Sequence, residues 1–213
     1  MEPKKISKSV LKRLPGYLAY LKNLPETAPD HISATALANA LGMGEVQVRK
    51  DLAMVSDGGR PKIGYLRESL VEDIEQFLGY DNTTDAVLIG AGKLGQALMA
   101  YSGFDEYGLN ILAAFDARPR QDKTDEGKPI YNISELAKFC RSHKVLMGII
   151  TTPAEAAQDV ADQLIAGGIK AIWNFAPTHL EVPANILVQN ENMATSLAVL
   201  SVHLQAQMKE DKR

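Results

Sequence analysis

The chain has one cysteine and one tryptophan in 213 residues, and its four histidines, His31, His143, His179 and His203, stand far apart. A single cysteine excludes an internal disulfide, and with the histidines scattered no cluster offers metal-ligand spacing. Cys140 falls on one face of a helical segment, where a buried thiol is expected rather than a nucleophile. No apolar run approaches the roughly 18 residues of a membrane span, so no membrane partner is expected. The opening Met1-Glu-Pro-Lys-Lys5 leads into a charged amphipathic segment instead of an apolar signal core, the pattern of a cytoplasmic protein.

Little net charge is present either, −3 overall, but it is unevenly spread. Residues 1–67 carry 11 Lys+Arg against 6 Asp+Glu, whereas residues 68–213 carry 12 against 20. An N-terminal part of opposite sign to the rest implies an anionic partner for that part alone.

What is there begins with helices. Val10, Leu11, Leu14, Tyr17, Leu18 and Leu21 form one apolar stripe over residues 7–24, a segment that Pro15-Gly16 can bend. Residues 25–31 read as a linker. Ser33 then caps a short helix ended by Gly42, and Gly44 opens a third helix over residues 45–55. That order is a helix-turn-helix unit. On the third helix Val48, Leu52 and Val55 share one side, while Gln47, Lys50 and Met54 face the other with Arg49 at the flank. A glutamine and two cations so presented suit base edges and phosphates in a major groove, although a solvated face has the same composition. The turn-rich stretch over residues 57–65 carries Arg60 and Lys62 and reads as a basic wing able to follow a phosphate backbone. A helix over residues 66–78 closes this part, and residues 79–84 are a domain boundary.

The second part opens with the apolar run Ala86 to Ile89, a buried strand, followed by Gly90-Ala91-Gly92-Lys93-Leu94-Gly95 and a helix read from Gln96 to Tyr101. In such a turn the first glycine makes the tight bend, the second lets a pyrophosphate approach the backbone and the third lets the helix pack on the strand. The helix N-terminus faces the anion. A second apolar run, Ile111 to Phe115, is closed by Asp116, which lies 21 residues past Gly95. That spacing places a carboxylate on the adenosine ribose of a dinucleotide. Later signals are a charged loop from Arg118, a strand over residues 129–131, a Ser134-capped helix ending near His143, and a strand over residues 145–150. Then come a helix from residue 153 to about residue 166 capped by Thr152, and a strand over residues 170–174. Thr151, Thr152 and Asn174 would then stand at carboxyl ends of parallel strands, where open α/β sheets bind ligands. In the final segment Met193, Leu197, Leu200 and Leu204 repeat at 0, 4, 7 and 11. So apolar a helix must cover its own domain or a second subunit.

Taken together, Gln47-Val-Arg-Lys-Asp-Leu52, the wing ending Gly64-Tyr65, Gly90-Ala-Gly-Lys-Leu-Gly-Gln-Ala-Leu98, Phe115-Asp116 and Trp173-Asn-Phe-Ala-Pro177 resemble the Rex family of redox-sensing transcriptional repressors, over essentially the entire chain. The resemblance implies an α/β protein with an N-terminal winged-helix DNA-binding domain (residues 1–80), a Rossmann-type parallel-sheet domain binding NAD(H) (81–191) and a domain-swapped C-terminal helix (192–213). It implies a homodimer that holds a palindromic operator of double-stranded DNA with NAD+ and releases it on binding NADH. By position it puts Arg49 and Lys50 in the DNA-reading helix, Gly90, Gly92, Gly95 and Asp116 on the dinucleotide, Tyr101 near the nicotinamide and Met193 in the partner's pocket. This chain departs from the family at Gly44 (a small hydroxyl residue), Lys62 (a glycine), Ala19 (an arginine), Asn192 (an aspartate) and Arg118 (an acid). Ala19 and Asn192 cannot form the family's ion pair, so a weaker or differently wired response to NADH is expected.

Two other readings stand beside this one. A small NAD-dependent dehydrogenase with an accessory N-terminal domain would share the turn, but no tyrosine is followed by lysine four residues on, and little chain is left for a substrate domain. A coenzyme-A module would also share the turn, but Asp116 favours a ribose with a free 2′-hydroxyl.

Overall fold

A computed structural model of the chain describes residues 7–210; the charged opening over residues 1–6 and the last three residues lie outside the described residues. The chain divides between Asn82 and Thr83 into two compact units.

In the first unit, helix α1 (Lys8–Lys22) is capped by Ser7, whose hydroxyl accepts from the Val10 N–H at 3.4 Å, and continues through Pro15. It buries Val10, Leu14, Tyr17, Leu18 and Leu21. Leu11, expected in the same stripe, is exposed instead: it occupies a rim position in the first turns, about 100° around the helix from Val10. Strand β1 (His31–Ile32) begins where a linker was expected to end. Two residues are too few to show alternation, and the strand exists because it pairs antiparallel with β2 (Tyr65–Leu66). Between them lie α2 (Ala34–Ala40), capped by the Ser33 hydroxyl accepting from the Ala36 N–H, and α3 (Glu45–Val55). Helix α4 (Arg67–Leu78) follows β2 and stops at Gly79. Leu14, Leu37, Val48, Leu52, Leu70 and Ile74 meet in one core, so the second helix of the helix-turn-helix is clamped on its apolar side.

The second unit is built on a parallel sheet of β3 (Thr84–Ile89), β4 (Leu109–Asp116), β5 (Ile130–Asn132), β6 (Met147–Ile150), β7 (Ala171–Asn174) and β8 (Leu187–Asn190). The order across the sheet is β5-β4-β3-β6-β7-β8. Counted from β3 this is 3-2-1-4-5-6, the order of dinucleotide-binding folds, with a switch point between β3 and β6. Both faces are covered. Val87 and Ile89 join the core under α6 (Leu136–His143) and α7 (Ala154–Ala166), and Ala86 and Leu88 join the core under α5 (Lys93–Ala100). This is why β3 reads as an unbroken apolar run.

Several local expectations are corrected. Helix α5 starts at Lys93, three residues before Gln96, and Tyr101 is its C-cap. Asn132, not Ser134, supplies the capping side chain before α6, accepting from the Ser134 N–H at 3.0 Å. Thr152 does not cap α7, whose N-cap is Pro153 without a side-chain bond. Strand β8 went unseen because Leu187-Val-Gln-Asn190 is a largely exposed edge strand with no buried pattern. Cys140 is fully buried, and burial pushes its thiol up to about 11, which leaves it protonated and unreactive at neutral pH. Helix α8 (Met193–Glu210) has every described side chain exposed, with Met193 at 68% and Leu200 at 64%.

Candidate functional site

The glycine turn sits at the carboxyl end of β3, beside the switch point. Gly90 has φ +104, a left-handed conformation that side chains resist, and a Cβ there would lie 3.0 Å from Thr151. Gly95 touches what it packs on: a Cβ would stand 2.0 Å from the Gly90 carbonyl oxygen and 2.9 Å from Leu88 Cδ2. Gly92 meets nothing within 4 Å. Two of the glycines therefore serve the fold, while the middle one faces open space at the first turn of α5, where unpaired N–H groups gather.

Asp116 ends β4 with its carboxylate directed at this turn. One oxygen accepts from the Ala91 N–H at 2.9 Å and the other from the Arg118 N–H at 2.8 Å. A cleft of about 740 Å³ opens here, lined by Ala91, Gly92, Lys93, Gln96, Asp116, Arg118, Pro119, Arg120, Gln121 and Ile130. Leu94 is part-exposed at the start of α5 but does not line the cleft. Thr151, at the end of β6, braces the turn from behind, its hydroxyl donating to the carbonyls of Ile89 (3.0 Å) and Gly90 (2.8 Å). The neighbouring Thr152 hydroxyl is buried with no hydrogen-bond partner among the described residues.

Two expected members lie apart. Asn174 is at the end of β7 but fully buried, and its amide is consumed by the loop that follows. Its nitrogen donates to Thr178 (3.0 Å) and Asn190 (2.9 Å), and its oxygen accepts from the Ala176 N–H (3.0 Å). Its work is to join β7, β8 and the residue 175–178 loop. Tyr101 is 53% exposed at the far end of α5, about 12 Å of helix from the turn, packed edge-on against Phe104. Within one chain it does not join the cleft that Asp116 lines.

On α3, Gln47, Arg49 and Lys50 are all exposed. Arg49 is paired with Glu45 one turn earlier, while the Lys50 side chain has no ion pair or hydrogen bond among the described residues. Gln47, its amide oxygen turned toward α1, accepts from the Arg13 guanidinium at 2.8 Å. That contact belongs to a cluster that sequence reasoning missed. Asp51 is buried on α3 and takes Arg13 Nε at 2.7 Å, Arg13 Nη2 at 2.9 Å and the Tyr17 hydroxyl at 2.8 Å. Burial first, and the bond to Asp51 second, push the Tyr17 phenol up to about 12; the same carboxylate's hydrogen bond raises Arg13. The only local trace of this lock is an aspartate beside a buried leucine, and its partners lie 34 and 38 residues away.

The wing is closed at its tip by Arg60 and Gly64, each donating its N–H to the other's carbonyl at 2.9 Å. Lys62, between them, is held at φ 66. That left-handed conformation is the reason a glycine would fit this position, and it fixes the backbone that carries the lysine at the tip.

Residues 81–178 match the CoA binding domain family, and residues 5–53 match the family described as putative DNA-binding protein N-terminus. The redox-sensing transcriptional repressor Rex of Porphyromonas gingivalis is 42% identical over 197 residues, covering 92% of this chain and 90% of the relative. That of Clostridium botulinum (strain Alaska E43) is 41% identical over 205 residues, covering 96% and 98%. Among solved structures, RSP, a Rex-family repressor, superimposes in complex with β-NAD+ and operator DNA at a TM-score of 0.89 and 33% identity, covering 99% of this chain and 97% of that one. Its complex with β-NADH gives 0.85 at 32% identity, covering 99% of both. With a winged helix-turn-helix and a Rossmann-type sheet in one chain and relatives alike over nearly their whole length, this protein belongs to the Rex family of redox-sensing transcriptional repressors.

Proposed function

We propose that this chain is a cytoplasmic repressor that binds a palindromic operator as a homodimer and leaves it when NADH occupies the cleft beside Asp116. The observation that carries the reading is the joining of two sites in one chain: an exposed, unpaired Lys50 on a clamped α3, and a glycine turn whose open position, Gly92, stands beside Asp116. Pyrophosphate on the N–H groups of the turn, with the ribose hydroxyls on Asp116, is the dinucleotide pose this arrangement supports. Gln47, Arg49 and Lys50 supply major-groove contacts, and Arg60 and Lys62 on the wing meet the backbone. Operator-bound and NADH-bound structures of RSP support the same pairing of ligands.

Helix α8 supports the dimer. Its exposed methionines, leucines and valines would each gain roughly 1.5–3 kcal/mol on burial, which a second subunit would provide. Two half-sites of a palindrome then match two winged helices. NADH can shift DNA binding only by its differential affinity for the DNA-competent and incompetent arrangements. We read the protein as a sensor rather than a dehydrogenase: His143 is stacked on Phe139 and Cys140 is buried, and neither is poised for hydride chemistry in the cleft.

The test is a fluorescence-anisotropy titration of a palindromic operator with the full chain, in NAD+ and then in NADH. Tight binding with NAD+ and release with NADH is the expected result; binding indifferent to both nucleotides overturns the reading. Steady loss of NADH absorbance with small carbonyl substrates would instead favour the enzyme.

A further inference from the structure

The cleft holds more positive charge than a plain dinucleotide needs. Lys93 enters from the first residue of α5, and Arg118 and Arg120 from the loop that leaves β4, two and four residues beyond Asp116. Against these three cations stands the single carboxylate of Asp116, already held by two backbone N–H groups. None of the three cationic side chains forms an ion pair or a hydrogen bond among the described residues. Pyrophosphate belongs at the other side of the cleft, at Gly92 and the start of α5, where the N–H groups of the turn meet it. Bound NADH would therefore leave Arg118 and Arg120 at the ribose end with no anion. Unpaired guanidinium groups on a concave wall raise the local anion concentration and bind phosphate oxygens in pairs.

We propose that the ribose end of this cleft also accepts an adenosine whose ribose carries a phosphomonoester, held by Arg118 and Arg120. The inference rests on the reading of the cleft as a dinucleotide site. It amends the expectation that Asp116 alone excludes such ligands: the carboxylate is already engaged by the Ala91 and Arg118 N–H groups, and the two arginines outnumber it. The shared chemistry occurs as a 2′-phosphate in NADPH and as a 3′-phosphate in coenzyme A.

Calorimetric titration of the full chain with NADH, NADPH and coenzyme A in turn tests this, with the Arg118→Ala/Arg120→Ala double variant alongside. Neither side chain is bonded among the described residues, so the variant keeps its fold. One phosphorylated ligand should bind within about fivefold of NADH, and the double variant should lower its affinity relative to NADH at least about tenfold, the scale of one lost charge-assisted contact. NADPH alone in that range identifies the 2′-position, and coenzyme A alone the 3′-position. If NADH binds while both others are about a hundredfold weaker or worse, or if the double variant leaves the ratio unchanged, the inference falls. If NADH does not bind either, the dinucleotide reading itself falls.

Discussion

The three glycines of the turn answer to different constraints, and substitution separates them. Gly95→Ala must push α5 off the Gly90 carbonyl, since its Cβ would stand 2.0 Å from that oxygen. A loss of about 3 kcal/mol is expected in denaturant unfolding. Gly92→Ala meets no atom within 4 Å, so stability should change by less than about 0.5 kcal/mol. Its methyl group stands in the space a pyrophosphate must enter, and NADH affinity should fall about a hundredfold in a binding titration. Wild-type affinity in a folded Gly92→Ala protein would remove the pyrophosphate from this turn. On α3 the two cations also differ. Lys50→Ala should cost about 1–3 kcal/mol of operator binding if it reads a base, and less with a shallower salt slope if it meets phosphate. Arg49→Ala should cost less, because Glu45 already competes for that guanidinium. NADH affinity should be unmoved by either change, and unchanged DNA binding in both variants would take the interface away from α3.

At the scale of elements, the position of α3 depends on its tie to α1. Asp51 is buried with Arg13 and Tyr17 as partners, and removing one member of such a group leaves the others desolvated. Asp51→Ala should destabilise the first unit by about 3 kcal/mol and weaken operator binding as well, because α3 loses its orientation. The tie is also sensitive to alkali. The Tyr17 phenol lies near 12 in the folded chain against 10.0 in an ordinary tyrosine, so the folded state holds the proton more tightly than the unfolded state. That stability is complete below pH 10 and drains away as pH rises from about 10 to about 12. Unfolding followed by circular dichroism should show the loss, and Tyr17→Phe should show a smaller dependence across the same window. Equal alkaline slopes for the two proteins would separate Tyr17 from the stability of this unit.

For the whole molecule, the proposed dimer rests on α8. Asn192 caps it, its side chain accepting from the Thr195 N–H at 3.1 Å, so the asparagine that replaces the family's aspartate keeps the helix start intact. What it gives up is a charge, and Ala19, exposed on α1, offers none in return. The expected consequence is a shallower NADH response than an ion-paired switch would give, measurable as the ratio of operator affinities in NAD+ and NADH. Truncation after Asn192 should give monomers or aggregates by sedimentation and poor operator binding, since one winged helix then reads one half-site. A truncated protein that remains dimeric and binds DNA as before would exclude α8 from the interface.

The features legible in the amino-acid sequence are those whose cause is local or periodic. The turn from Gly90 to Gly95, the acid that closes β4, the apolar run of β3 and, Leu11 apart, the stripe of α1 depend on spacing along the chain, and the structure carries each of them. The helix-turn-helix was legible for the same reason, since Ser33, Gly42 and Gly44 punctuate it within a few residues. What could not be read depends on partners distant in sequence. Thr151 and Thr152 are adjacent, yet one hydroxyl braces a turn 61 residues away while the other finds no bond among the described residues and does not cap α7. Asn174 looked like a ligand-facing residue at a strand end, and only the approach of Asn190 and Thr178 turns it inward. Nothing in the local pattern set Asp51 apart, because its partners Arg13 and Tyr17 close over it only in the folded chain. A polar side chain has no fixed role of its own: packing decides which donors and acceptors reach it, and those distances exist only after the chain has folded.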